Sequence, residues 1–117
     1  MKVVLVEDDY SYRTMMSGFL EDLGYIVVRA DHPDKLESIE GCNTFILDVM
    51  IYSNRTAGID YIIDLQTRGQ IKDDALVIFI SNFGRDTQEI QDRLAQIKKY
   101  EWLDKPVNLP SLEKLLK

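Results

Sequence analysis

Apolar residues in this chain fall into short continuous runs separated by stretches of helical period. The runs occupy residues 3–6, 25–28, 44–47, 76–80 and 102–103. They do not alternate with polar residues, which suits strands buried on both faces of a parallel sheet. Between the first two runs, Tyr12, Met15, Met16, Phe19, Leu20 and Leu23 recur at i, i+3, i+4 and i+7, closed by Gly24, and predict a helix. Residues 34–40 predict a short, weak second helix. Ile59, Ile62, Ile63 and Gln66, stopped by Gly69, predict a third. Asp86 and Glu89 are spaced as a capping box ahead of Ile90, Leu94 and Ile97 on one face of a fourth. A fifth opens around Pro110 and carries Leu112, Leu115 and Leu116. The alternation is βα repeated five times. Right-handed crossovers turn that into an α/β doubly wound, three-layer sandwich with helices on both faces of the sheet.

A length of 117 residues suits one domain covering 1–117, and 45% apolar with 29% charged residues is an ordinary globular balance. The net charge of −6, with 20 acidic and 14 basic residues, argues against direct nucleic-acid binding, which needs clustered cations. Lys98-Lys99 is the only adjacent basic pair. Cys42 is the only cysteine, so no internal disulfide is expected, and it reads as a small buried residue before a strand. No apolar run approaches the ~20 residues of a membrane helix, and the opening run meets Glu7 too soon for a signal peptide. Without an export signal, the acceptor pattern Asn54-Arg55-Thr56 reads as chance. The expected home is cytoplasmic, and the expected state is a monomer. The last helix has only about two turns, so a domain excised from a longer chain is also an expectation.

In open parallel sheets, functional groups gather at the carboxyl ends of the strands. The residues that follow each run give a consistent set: Glu7-Asp8-Asp9, then Asp48, Ser81 and Lys105-Pro106. The second run contributes nothing comparable, and Asp31 and His32 read as turn residues. Clustered carboxylates repel one another unless a cation sits among them. Hard oxygen donors in an incomplete cage favour Mg²⁺ with retained waters. Such a site suits phosphoryl transfer, with a carboxylate as nucleophile, lysine as a point charge and serine as a hydrogen-bond donor. The bland readings stand beside this: the first acids can cap a helix, Asp9 in particular. Ser81 can be an ordinary strand-end serine, Lys105 solvated surface, and Trp102 core. His32 reads as structural, and Met15-Met16 as helix core.

The segment 3–9, with Arg13 and Leu23-Gly24-Tyr25, resembles the opening of response-regulator receiver domains of two-component signalling. Phe45-Ile46-Leu47-Asp48-Val49-Met50 resembles their phosphoacceptor strand, Val77-Ile78-Phe79-Ile80-Ser81 their switch-hydroxyl strand, and Trp102-Leu103-Asp104-Lys105-Pro106 their aromatic-x-x-Lys-Pro signature. The match runs in order over essentially the whole chain. The resemblance implies a flavodoxin-like sheet of order 2-1-3-4-5, with Asp48 phosphorylated from a sensor histidine kinase or phosphotransfer protein. Mg²⁺ would be bound by Asp8, Asp48, Glu7 and the backbone carbonyl of Met50. Ser81 and Lys105 would grip the phosphoryl oxygens, Trp102 would be the switch aromatic, and the Lys105-Pro106 peptide would be cis. The implied partners also include a downstream protein or an attached output domain. Catalysis would extend only to the domain's own phosphorylation and dephosphorylation.

The chain departs from that pattern in places. Ile51 stands where proline is usual, and the loop from Asp48 to Gly58 is two residues longer. Asn82 replaces a small residue beside the switch hydroxyl, Phe83 follows it, and Glu101 precedes Trp102. One alternative is a pseudo-receiver that binds proteins without phosphorylation. A second is a Mg²⁺-dependent aspartyl phosphatase, which would want an aspartate where Met50 stands.

Overall fold

The apolar residues 3–6, 45–47 and 77–80 are buried because each strand sends alternate side chains to opposite sides of one sheet. The runs 25–28 and 102–103 instead form the sheet's two edges and are only partly buried, short of the expected burial on both faces. On one side Val4, Val6, Phe45, Leu47, Val77 and Phe79 pack with Ile59, Ile62, Leu65, Ile90 and Leu94. On the other, Val3, Leu5, Ile46, Ile78 and Ile80 pack with Met16, Leu20 and Leu112. Burying each such aliphatic side chain is worth roughly 1.5–3 kcal/mol.

The computed structural model describes residues 1–117. In chain order the elements are β1 (Lys2–Val6), α1 (Tyr10–Asp22), β2 (Ile26–Ala30), a 3₁₀ turn (Pro33–Lys35), β3 (Cys42–Asp48), α2 (Ala57–Thr67), β4 (Leu76–Ser81), α3 (Gln88–Leu94), β5 (Glu101–Asp104) and α4 (Leu109–Leu116). All strands are parallel, in the order β2-β1-β3-β4-β5. Helices α1 and α4 cover one face; α2 and α3 cover the other. No helix is long and apolar enough to cross a membrane.

Five further expectations need correction. Residues 34–40 do not form a helix: the only turn is Pro33–Lys35, and Leu36 is already extended at φ −67° and ψ 130°. Leu36 and Ile39 are the segment's only large apolar side chains, too little burial to offset the cost of nucleating so short a helix. The first-turn cap of α3 is Thr87, whose side chain accepts from the Ile90 backbone N–H, not Asp86. Ile97 lies beyond that helix yet is still buried. Cys42 opens β3 rather than preceding it and is half-buried. Of the methionine pair only Met16 is core; Met15 faces solvent. The caps of α1 and α4 are Asp9 and Asn108, and Gly24 and Gly69 end their helices at positive φ. His32 is structural, its Nδ1 accepting from the Asp34 backbone N–H at 3.1 Å.

One packing contact ties a helix directly to the end of β3. Gly58, in the first turn of α2, lies so close to the end of β3 that a Cβ there would come within 2.1 Å of the Asp48 carbonyl oxygen. Its backbone N–H donates to the Val49 carbonyl at 3.1 Å. In an open helix, Gly→Ala gains about 1 kcal/mol. Here overpacking should reverse the sign, with Gly58→Ala destabilising the fold by about 1–3 kcal/mol. Equilibrium denaturant titration checks this, and a midpoint at or above the native value would refute the close approach.

Candidate functional site

Strands β1, β3 and β5 end together, and their sequels deliver charges to one place. Glu7, immediately after β1, is fully buried; Asp48, the last residue of β3, is 5% exposed. Lys105 follows β5 with a buried side chain, its Nζ 2.7 Å from Glu7 Oε2 and 3.0 Å from Asp48 Oδ2. The same ammonium lies 4.6 Å from the centroid of the Tyr12 ring, a cation–π contact. The Tyr12 hydroxyl in turn accepts from the Val107 backbone N–H at 2.8 Å. Arg13 donates to the Glu7 carbonyl at 2.7 Å, and the Asp9 N–H donates to Glu7 Oε1 at 3.1 Å. Asp9 itself accepts from Tyr12 N–H at 2.9 Å as the cap of α1. A cleft of about 430 Å³ opens over the cluster, lined also by Asp8, Met50, Tyr52, Asn82 and Phe83.

Burial dominates the electrostatics. It pushes the Glu7 carboxyl up to about 7, against the opposing attraction of the Lys105 ammonium and with Asp48 adding repulsion. Burial also raises Asp48, again opposed by Lys105. Desolvation pulls Lys105 down, but its contacts with Glu7 and Asp48 outweigh that, and the net shift is upward. Lys105 meets Glu7 Oε2 as an ion pair without hydrogen-bond alignment, and that buried oxygen has no other donor.

Glu7, Asp8 and Asp48 each present an oxygen within 4.8 Å of the others'. Hard donors so spaced, one of them buried and short of a directed partner, fit a hard divalent cation. Met50, expected to add its carbonyl, lines the same cleft.

Two expected residues stand apart from this cluster. Ser81 is fully buried and closed on its own loop: its hydroxyl donates to the Phe83 carbonyl at 2.8 Å and accepts from the Phe83 N–H at 3.1 Å. Trp102 is half-buried in β5, its ring centroid 6.3 Å from that of Phe79 and its Nε1–H donating to Asp104 at 3.1 Å. The Lys105-Pro106 peptide is cis.

Three residues at the site escaped the sequence reading. Tyr12 reads there only as a helix-stripe aromatic, although its place five residues after Glu7 puts it on the turn that faces Lys105. Tyr52, in the longer loop, donates its backbone N–H to Asp8 Oδ2 at 2.7 Å and its hydroxyl to Asp31. Asp31 lies in the bend past β2, as expected of a turn residue, and outside the cluster of acids, but it reaches the site through Tyr52. The Tyr52 hydrogen bond, with help from Lys35, holds Asp31 below the usual carboxylate range, and the same bond raises the Tyr52 phenol. The extra loop length was the available signal.

No protein-family model matches the chain, and no curated protein sequence matches it. Among solved structures, the chemotaxis protein CheY4 of Vibrio cholerae superposes with a TM-score of 0.81 at 24% identity, over 98% of this chain and 94% of that one. A response regulator receiver protein from Pseudoalteromonas atlantica gives 0.82 at 14% identity, over 99% and 93%. A response regulator from Burkholderia pseudomallei, solved with a phosphorylated aspartic acid, a calcium ion and citrate, gives 0.77 at 19%, over 99% of this chain and 66% of that one. The chain has the fold of CheY-like receiver domains.

The raised Glu7 carboxyl makes stability depend on pH. Glu7 holds its proton more tightly folded, at about 7, than at its ordinary 4.5, so between these values the folded state carries more protons. The resulting stabilisation is complete below the lower value and is lost as pH rises through the higher one. The gap corresponds to roughly 3 kcal/mol, and Asp48 shifts in the same direction. In chelator, the native melting temperature should fall between about pH 5 and about pH 8, and Glu7→Gln should flatten the slope. Parallel slopes for the two proteins would exclude Glu7 as the source.

Proposed function

We propose that this chain is a receiver domain, residues 1–117, whose Asp48 takes a phosphoryl group from the phosphohistidine of a histidine kinase or phosphotransfer protein. The observation that carries this reading is the buried Glu7–Lys105–Asp48 cluster beside Asp8, at the carboxyl edge of a sheet with the receiver order. A carboxylate this buried and this close to an ammonium is costly to keep for stability alone. It gains a purpose as a nucleophile whose charge is held in register.

In the reaction, an Asp48 carboxylate oxygen forms a bond to phosphorus while the phosphorus–nitrogen bond of the donor breaks, and the imidazole leaves with the electron pair. Lys105 stays beside the carboxylate and meets the new phosphoryl oxygens as a point charge. Glu7, Asp8, Asp48 and the Met50 carbonyl would hold Mg²⁺, which when bound neutralises charge on the transferring group. Ser81 would turn from Phe83 to a phosphoryl oxygen, and Trp102 would follow. Together they would alter a surface around α3, β5 and α4 read by a downstream protein or attached output domain. A cytoplasmic setting fits that role. The fold shared with a protein solved with a phosphorylated aspartic acid and a metal ion supports the reading.

Intact-mass measurement after incubation with Mg²⁺ and a small-molecule phosphodonor tests it. A single phosphoryl adduct is expected on the native protein and none on Asp48→Asn. No adduct, even with a histidine kinase supplied, would leave the fold as a binding module that works without phosphorylation. Phe83 lines the cleft, with the Arg55 guanidinium 5.8 Å from its ring centroid, and so is placed to shield a phosphoryl group from water. Phe83→Ala should lose its phosphoryl group severalfold faster than the native protein; an unchanged decay rate would rule the shielding out.

A further inference from the structure

Beyond the carboxylate cluster, the longer loop after β3 does something definite at the site. Residues 51–54 close into a small hairpin: Ile51 N–H donates to the Asn54 carbonyl at 3.0 Å, and Asn54 N–H donates to the Ile51 carbonyl at 3.1 Å. The first of its two central residues, Tyr52, sits at φ 55°. That left-handed backbone costs a non-glycine residue roughly 1–2 kcal/mol, and glycine is the usual occupant of such a hairpin position.

Tyrosine there makes two bonds that a bare turn would not need. Its backbone N–H meets Asp8 Oδ2 at 2.7 Å, and its phenol hydroxyl donates to Asp31. Lys35 Nζ, 3.2 Å from the same Asp31 oxygen, braces that carboxylate. The hairpin's other end is fixed by Ile51, whose side chain is fully buried, and by Asn54, which accepts from the Thr56 N–H at 3.1 Å. The result is a strap running from the end of β3, across the end of β1, to the end of β2. Yet Tyr52 is itself 54% exposed, so burial of its ring does not account for its presence.

We propose that Tyr52 is a positioning residue for cation binding: anchored through its phenol to Asp31, it holds the strap so that its N–H fixes the Asp8 carboxylate. The inference rests on the cation-binding reading above. Asp8 is the least buried of the three acids and would otherwise sample several rotamers. An N–H on one lone pair of Oδ2 freezes its orientation while leaving Oδ1 for the cation. Partners that orient a metal-ligating carboxylate commonly govern about 10–100-fold of metal affinity.

Isothermal titration calorimetry with Mg²⁺ on the full chain tests this. Tyr52→Phe keeps the ring and the backbone N–H but removes the anchor, and should weaken Mg²⁺ about tenfold, the lower end of that range. Its metal-free melting temperature should stay near native. Asp31→Ala should match it, the double variant should be no weaker than either single one, and Asp31→Asn, whose amide oxygen still accepts the phenol, should bind nearly as the native protein. Native affinity in Tyr52→Phe, or losses that multiply in the double variant, would overturn the strap and leave the cation site standing. Absence of Mg²⁺ binding by the native protein would overturn both.

Discussion

Lys105 places an ammonium 2.7 Å from Glu7 and 3.0 Å from Asp48 where all three side chains are almost wholly withdrawn from solvent. Like charges at such spacing repel by several kcal/mol even at an effective dielectric of about 20, so the ends of β1 and β3 can meet only around a countercharge. Removing one partner of a buried pair typically costs about 3–5 kcal/mol, because it strands the other. The lysine is nevertheless outnumbered. Three carboxylates against one ammonium leave two negative charges uncompensated. A proton on Glu7 removes one of them, and a divalent cation would remove both. Protons and cations are thus competing answers to one imbalance, and the repulsion from Asp48 adds to the burial that chiefly raises the Glu7 carboxyl to about 7.

The sheet makes this imbalance tolerable. With both faces covered, each central strand is held along its length by apolar contacts on two sides, and the charges stand only where the strands run out. The close approach of Gly58 to the Asp48 carbonyl carries the same logic into the backbone: α2 is seated on the peptide of Asp48 itself. The site therefore rests on strands and a helix terminus rather than on loops, which favours geometric precision. The strap around Tyr52 is the exception, a loop held to the site by hydrogen bonds.

What was legible in the sequence follows from this division. The three central strands were readable because a strand buried on both faces needs an unbroken apolar run, and residues 3–6, 44–47 and 76–80 supply one. The edge strands β2 and β5 carry apolar runs that are only partly buried. The position of Asp48, Glu7 and Lys105 at one edge followed from the parallel topology. Residues 34–40 misled because helical spacing of two apolar residues is a pattern without enough burial behind it. Asp86 misled because capping depends on where the chain bends, and Thr87 lies one residue nearer the bend. Tyr12, Asp31 and Tyr52 were not legible as site residues at all. Each acts through a contact between segments that are distant in the chain, and residue type alone does not encode that contact. Ser81 was legible as a strand-end hydroxyl, but not in its present bonding to the Phe83 backbone.

That bonding bears on how a phosphoryl group on Asp48 would be sensed. The Ser81 hydroxyl makes two neutral hydrogen bonds to Phe83, worth about 1 kcal/mol each net. Turning to a phosphoryl oxygen exchanges them for one charge-assisted bond worth about 1.5–3 kcal/mol. The exchange is close to balanced, as a two-state element requires, and it frees the Phe83 N–H and carbonyl, which must then find new partners. A balanced exchange is also a weak drive. Inverting a population from 1:99 to 99:1 takes about 5.5 kcal/mol, several times what Ser81 can supply. The remainder has to come from Lys105 meeting the added charge and from a partner that binds the rearranged loop. In such a switch the phosphoryl group and the downstream partner share the work, so occupancy by one should tighten the hold of the other.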